Sequence, residues 1–595
     1  MDHSNLHARH IQDFSNASQI EPHWGYAGRV VPCTNDAGSC AYLDEVYRGH
    51  DRGMLYSGIL WSIIGGLLLI FAICRHFPPS QHRWVRASQA WSRRWLLPEF
   101  RSLRWLFGHT TRLQVLVLAA TCAYLFVFSF AGITYAKWVT PVKNSPGVYN
   151  TRTSLGPWAD RLGLLAYALT PLSILLANRE SLLSLCTGIP YHHFNFLHRW
   201  LGHVIFAQSV LHTIGWCVIE IRLYQPQPAV AKAWIKQLYM VWGVVAMILL
   251  ILLWGLSTPW GRRATGYEFF RKSHYVLAMV YIGACWGHWA NLKCFLLPSL
   301  ILWFIDRGAR LARTGLIHYR VLPGGKGMFT SIPASVTQYE SDVLRLDLAL
   351  PNPVSWEIGQ HFYLTFVQGG IWQSHPFTPL SLPGKRQAYV LRAKSGETRR
   401  VAAMEKESTP VILTGPYGSS IVQSVTPITN VLAVAGGTGI AFVLPILLDI
   451  ARRKQHTAKV QLFWVVRAER HVEWIAEELD GLRKSGLVSV TIHSTGSESH
   501  ESLDTGLSTP SEDQAQSKAQ SEKNLPGMAG RPDLRDVVRR FVASTEIGDN
   551  CVFVSGPGGM TSDVRDAVAG CNDAKAVWAG DRRKEVQLVY DERLE

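Results

Sequence analysis

Seven apolar runs govern what this chain can become. They lie near 54–75, 113–136, 161–177, 196–219, 240–257, 270–290 and 294–306, and about 20 apolar residues in a helix are enough to cross the hydrocarbon layer. The last run is the shortest. Beyond residue 311 the sequence reads as ordinary soluble protein. Composition agrees with this division: 48% of the 595 residues are hydrophobic and only 17% are charged, against about 25% in a typical soluble domain.

Arginine placement predicts a direction. Arg75, Arg83, Arg86, Arg93, Arg94, Arg101, Arg104 and Arg112 crowd the loop after the first run, beside Trp84, Trp91, Trp95 and Trp105. Such a loop reads as cytosolic and interfacial. Seven spans then put the N-terminus outside and the soluble C-terminal half in the cytosol. The net charge of +15 is thereby explained by membrane topology and a phosphate-bearing cofactor, and nucleic acid is excluded as a partner. The polar first fifty residues show no secretory signal pattern. They hold a glycosylation acceptor, Asn16-Ala17-Ser18. They also hold Cys33 and Cys40, either a short-loop disulfide or two free thiols.

The fourth run contains His198 and His212, and the sixth contains His274 and His288. A separation of fourteen residues returns to within ~40° of one helix face and rises ~21 Å. Runs four and six are parallel, so His198 is level with His274 and His212 with His288. Intramembrane polar groups are costly and usually functional. Two levels, each with one imidazole from each helix, suit two stacked haems with both axial positions filled. Tyr281 lies midway on the same face, for packing or for bridging. His203 points ~140° away from His198 and is not expected to be a ligand. His192 and His193 read as loop residues. Arg199, Arg271 and Lys272 are candidates for haem propionates or helix anchors.

Residues 316–415 alternate in short strands, as an antiparallel barrel requires. After them, Val431–Ala435 is a buried strand leading into Gly436, Gly437, Thr438 and Gly439 and then a helical run. Strand Cys551–Val554 leads into Gly556, Pro557 and Gly558. Glycine-rich turns between strand and helix offer backbone N–H groups to a diphosphate, and alternating strands and helices predict a parallel sheet.

With the histidine pairs, the segment His375-Pro376-Phe377-Thr378-Pro379-Leu380-Ser381 and the two glycine turns in place, the chain resembles fungal ferric/cupric-chelate reductases, relatives of the NADPH oxidases, over roughly residues 113–595. The resemblance implies FAD against His375, Pro376, Phe377, Thr378 and Ser381, with its pyrophosphate near Arg392, Gly396 and Thr398. It implies NADPH at the glycine turns, with Arg467 facing the 2′-phosphate, and two b-type haems on the four histidines. Two positions depart from the family pattern: Ser555 stands where cysteine is common, and the chain ends Arg593-Leu594-Glu595 without a terminal aromatic residue, Tyr590 being the nearest ring.

The expected architecture is an α-helical transmembrane bundle of about seven spans followed by a ferredoxin-reductase-like module. Its parts are an extracytoplasmic segment (1–53), a haem-binding membrane domain (54–310), an FAD-binding β-barrel (311–425) and an NADPH-binding α/β domain (426–595). Residues 495–530 are too poor in apolar side chains to order themselves and read as a disordered insertion. The implied activity passes electrons from cytosolic NADPH through FAD and two haems to a chelated ferric or cupric ion outside the plasma membrane. The implied partners are membrane lipid and an iron permease or multicopper oxidase in the same pathway. The rivals are a superoxide-generating NADPH oxidase and a histidine-bearing proton channel.

Overall fold

In the computed structural model the described residues are all except 1–11, 13–17, 76, 78–81, 144, 322–330, 369–373, 394–395, 404–406, 497–529 and 592–595. Most of the expected insertion, and Asn16 and Ala17 of the glycosylation triplet, lie outside the described residues. The rest divides into two compact units, residues 1–78 with 114–312 and residues 79–113 with 313–595.

Seven long helices coincide with the seven apolar runs: α1 (Ala37–Arg75), α2 (Arg112–Phe130), α3 (Leu155–Ala177), α4 (Asn195–Val218), α5 (Leu238–Ser257), α6 (Tyr267–His288) and α7 (Lys293–Val321). Apolar side chains such as Leu67, Phe71, Phe126 and Ile248 stay exposed on them, as helices seated in lipid require. Among the described residues α1 to α5 are each long and apolar enough to cross a membrane, α4 with its short flanking turns. The sixth and seventh helices meet the same test only together, and they turn by 120° between them. By length and composition the described helices thus supply five spans, or six with that bent pair counted as one, against about seven expected. The reason is charge. Glu268, Arg271 and Lys272 dilute the start of α6, and Asp306, Arg307 and Arg310 cut the apolar part of α7 to about three turns.

Arg161 of α3 is completely buried in this unit. Its guanidinium donates to Gly49 O at 2.6 and 3.1 Å, to Phe128 O at 3.0 Å and to Ala131 O at 3.1 Å. It therefore satisfies carbonyls at the end of α2, which no helix turn can reach, and ties them to α1. In the N-terminal segment Cys33 and Cys40 are joined as a disulfide.

The second unit opens with six antiparallel strands: β1 (Ile332–Glu340), β2 (Val343–Ala349), β3 (His361–Phe366), β4 (His375–Phe377), β5 (Arg386–Arg392) and β6 (Ser408–Tyr417), in the order β4-β3-β6-β1-β2-β5. One core, including Leu346, Phe362, Leu364, Tyr389, Leu391, Val411 and Leu413, draws on five of these strands, so the sheet curls like a barrel. The helix α8 (Gly396–Ala403) interrupts it.

Five parallel strands follow, β7 (Asn430–Gly436), β8 (Val460–Val466), β9 (Ser489–Ser494), β10 (Asn550–Ser555) and β11 (Val586–Asp591), in the order β9-β8-β7-β10-β11. Helices α9 (Ile440–Arg453) and α10 (Gly558–Cys571) follow β7 and β10. Strands buried on both faces explain the unbroken apolar runs Val431–Ala435 and Cys551–Val554.

The arginine-rich loop belongs to this second unit. Its helix Arg83–Leu96 lies against the nucleotide-binding half. Arg86 bridges Asp549 (2.6 Å) and Glu585 (2.5 Å), and Arg93 also reaches Glu585 (3.0 Å). Arg94 donates to Asn572 O at 2.7 Å, and Arg101 pairs with Asp566 at 2.6 Å. Burial pushes the Glu99 carboxyl up, but hydrogen bonds from Arg104, His109 and Ser562 outweigh it and hold the group below the ordinary carboxylate range.

Candidate functional site

The membrane unit brings the four histidines together as two pairs. The rings of His198 and His274 have centroids 6.1 Å apart, and those of His212 and His288 are 6.3 Å apart, with planes nearly perpendicular in both. A metal–nitrogen distance of about 2 Å on each side, and roughly 1 Å more to each ring centre, puts two imidazoles on one metal ion about 6 Å apart. Both pairs fit that spacing. Among the described residues no group of three or more His, Cys, Asp or Glu converges as a metal cage. Two axial imidazoles without further protein ligands suit a metal whose other four ligands come from a macrocycle.

Each ring is fixed from behind. Nδ1 of His198 is 2.9 Å from Ser173 O and 3.2 Å from Ser173 Oγ. His212 Nδ1 lies 2.7 Å from Ala159 O, and His288 Nδ1 lies 2.9 Å from Tyr239 O. His274 Nδ1 is 3.3 Å from Ser257 Oγ. A carbonyl acceptor demands the proton on Nδ1 and leaves the Nε2 lone pair for a metal.

Glycines make the contacts of His212 and His288 possible. A Cβ on Gly163 would lie 2.6 Å from His212 Nδ1, and one on Gly243 would lie 2.7 Å from His288 Nδ1. In each case the glycine stands four residues after the accepting carbonyl, Ala159 on α3 and Tyr239 on α5. Sequence reasoning missed both glycines. Their signal is a glycine within an apolar span, where close approach of helices is the usual cause. His212 and His288 line a cavity of about 720 Å³ that also takes in Gly163, Gly243, Tyr281 and Trp216, within the range of cofactor pockets. His203 is turned to Trp254, whose Nε1 donates to its Nδ1 at 2.8 Å. His192 and His193 sit in a short 3₁₀ turn before α4. Arg199 lies over the Phe196 ring.

In the antiparallel domain His375, Pro376 and Phe377 form β4, opposite Leu364, Tyr363 and Phe362 of β3. Thr378 follows. Ser381 is engaged within the backbone: its hydroxyl donates to Arg386 O and accepts from Ala388 N, both at 3.2 Å. Arg392, at the end of β5, pairs with Asp342 at 2.8 Å. Gly396 opens α8 at φ +62°, with Thr398 in the first turn, so this segment presents a helix N-terminus, which suits phosphate.

In the parallel domain the two glycine turns stand side by side at the carboxyl ends of β7 and β10, where the strand order reverses. That is where open α/β sheets bind ligands. A Cβ on Gly436 would meet Met560 Sδ at 2.8 Å and Pro557 Cδ at 2.9 Å, and one on Gly556 would come within 3.2 Å of Gly436 Cα. Gly439 packs on the Ser555 carbonyl. Gly437 takes φ +53° with open space around it, and its carbonyl accepts from Trp464 Nε1 at 3.0 Å. Thr438 completes the turn into α9, and Gly558 begins α10 behind Pro557. Arg467 follows β8 with its side chain exposed. Tyr590, on β11, lies under the guanidinium of Arg565 at 5.9 Å.

Three family models match this chain. Residues 162–285 match a ferric reductase like transmembrane component, residues 328–421 an FAD-binding domain, and residues 428–569 a ferric reductase NAD binding domain. Together they take in more than half of the chain. Curated relatives include ferric reductase transmembrane component 6 of Saccharomyces cerevisiae, 25% identical over 69% of this chain and 57% of that protein. Ferric/cupric reductase transmembrane component 2 of the same yeast is 30% identical over 47% of this chain and 38% of its own length. A probable ferric reductase transmembrane component of Candida albicans is 28% identical over 65% and 55%. The chain thus spans about half the length of the curated relatives it matches. Among solved structures, a ferredoxin NADP+ reductase from Neisseria gonorrhoeae covers 44% of this chain and 99% of its own, at 13% identity and a TM-score of 0.33.

Proposed function

The chain belongs to the ferric reductase family, a multi-pass membrane protein with FAD-binding and NAD(P)H-binding domains, and on that premise we propose that it reduces chelated ferric, or cupric, ions across a membrane. The observation that carries the proposal is the pair of imidazole pairs, 6.1 and 6.3 Å between centroids, each joining α4 to α6. When bound, a flavin accepts hydride and yields single electrons, and haem iron relays them one at a time.

The residues have separate tasks. His198 and His274 hold one b-type haem, and His212 and His288 hold the other. The carbonyls of Ser173, Ala159 and Tyr239 set the tautomers of His198, His212 and His288, and the Ser257 hydroxyl orients the His274 ring. Held between two imidazoles at each level, the groups would supply one-electron transfer, and the four histidines would leave no protein-side position for the acceptor. His375, Pro376, Phe377 and Thr378 face the isoalloxazine, and Arg392, Gly396 and Thr398 hold the FAD pyrophosphate. Gly436 to Gly439 and Gly556 to Gly558 take the dinucleotide phosphates on backbone N–H groups. Arg467, exposed after β8, selects NADPH by its 2′-phosphate. The arginine-rich loop supports a cytosolic second unit, and the disulfide at Cys33–Cys40 supports an N-terminus outside, at the plasma membrane.

The test is a reduced-minus-oxidised absorbance spectrum of membranes, with external iron reduction measured alongside. A bis-imidazole haem spectrum is expected, and its absence overturns the reading. Insensitivity of the product signal to superoxide dismutase separates the reductase from an oxidase.

A further inference from the structure

We propose that the helix Arg83–Leu96 seats the nucleotide-binding half on the lipid surface through a stripe of tryptophans. This goes beyond the redox reading and needs only that α1 and α2 cross the bilayer.

The helix has two faces. Trp84, Trp91 and Trp95 are 62%, 54% and 51% exposed, and their spacing of seven and four residues puts them within about 40° of one line. Arg86 and Arg93 project from the other side, about 180° to 200° round, and are consumed by Asp549 and Glu585. Ala87 and Ala90 are buried on that docking side, against Val577. The arginines therefore do not hold the tryptophan face to anything within their own unit. Trp105, 81% exposed, and Leu106 extend the apolar surface past the helix.

An exposed apolar stripe calls for an occupant, and chain connectivity points to lipid. The segment is entered from α1, which ends at Arg75, and left into α2, which starts at Arg112. Seven residues separate α1 from Arg83. Fully extended they reach about 30 Å at most, so the stripe is leashed to the membrane boundary at one end and continuous with a span at the other. Charge agrees. From Arg83 to Arg112 the only acid is Glu99, which is buried, while Arg83 and Arg104 are exposed. A surface with tryptophans, cations and no exposed carboxylate matches the headgroup layer, where indole rings settle and anionic lipids attract arginine. One face grips the nucleotide-binding half and the other enters lipid, so the helix is a two-sided adaptor.

The test uses the full chain in nanodiscs whose lipids carry bromine on the upper acyl carbons. Emission of a Trp84→Phe, Trp91→Phe, Trp95→Phe variant is subtracted from that of the parent protein, which isolates the three rings from the other tryptophans. The isolated emission is expected to fall at least roughly twofold in brominated lipid relative to ordinary lipid. Emission unaffected by bromine overturns the proposal. Quenching by acrylamide would then assign the stripe to water, and resistance to both quenchers would assign it to a protein partner or a second copy. The three single Phe variants, each checked for flavin reduction by NADPH, give the same subtraction should the triple variant fail to fold.

Discussion

The His212–His288 pair, outer in the proposed orientation, and the His198–His274 pair, inner in it, share one spacing but are built differently. At the outer level both rings lean on backbone carbonyls, Ala159 and Tyr239, through gaps left by Gly163 and Gly243. At the inner level His198 meets a carbonyl and a hydroxyl of one serine, and His274 meets only the Ser257 hydroxyl. A carbonyl can only accept, so it locks the tautomer. A hydroxyl both donates and accepts, so it leaves His274 less constrained. The outer pair is rigid and intolerant of added volume; the inner pair is adjustable.

The largest effect expected from this contrast is that of His212→Ala. It should abolish reduction of an external acceptor while flavin reduction by NADPH in stopped flow stays intact. Persistence of external reduction would show that the outer pair is not on the path. Next, Gly163→Ala or Gly243→Ala should displace one outer ring, because a contact of 2.6–2.7 Å to a ring nitrogen cannot be kept. Redox titration should then show one haem component lost or shifted and the other preserved. Equal loss of both components would mean that the two levels are not separately built.

At the inner level, Ser257→Ala removes a single hydrogen bond, of about 0.5–1.5 kcal/mol. It should change external reduction only a few-fold, and more than Ser173→Ala, after which the Ser173 carbonyl remains. The reverse order would break the assignment of tautomer control. The smallest effect belongs to Gly283→Ala on α6, where a Cβ meets nothing within 4 Å. Thermal unfolding should be unchanged or raised by up to about 1 kcal/mol, with both haem components retained.

Much of this was legible from the sequence because its signals are periodic. Fourteen-residue spacing fixed which histidines pair, and His203 falls off the face as that geometry requires. The glycine turns were readable because strand, turn and helix follow one another without a gap. What supports the histidines was not readable, since Ala159 and Tyr239 contribute only backbone oxygen, which carries no residue-type signature. At α6 and α7 hydropathy shows the apolar stretches but gives no sign of the 120° turn between the two helices. The arginines of the first loop mark a side of the membrane in sequence, yet Arg86 and Arg93 also find Asp549 and Glu585 more than 460 residues away. Local pattern carries no information on such pairings.

Arg161 has a consequence for biogenesis. A guanidinium keeps its charge at any physiological pH, and here its partners are Gly49, Phe128 and Ala131, from two helices made earlier on the ribosome. When α3 leaves the translocon, its cation is tolerable in hydrocarbon only if those oxygens are already waiting. The first two helices must therefore linger beside the exit until the third arrives. A chain that lacked α1 would release α3 with the two hydrogen bonds to Gly49 unmade and only those to Phe128 and Ala131 left to answer its charge, a feature by which membrane quality control could recognise it.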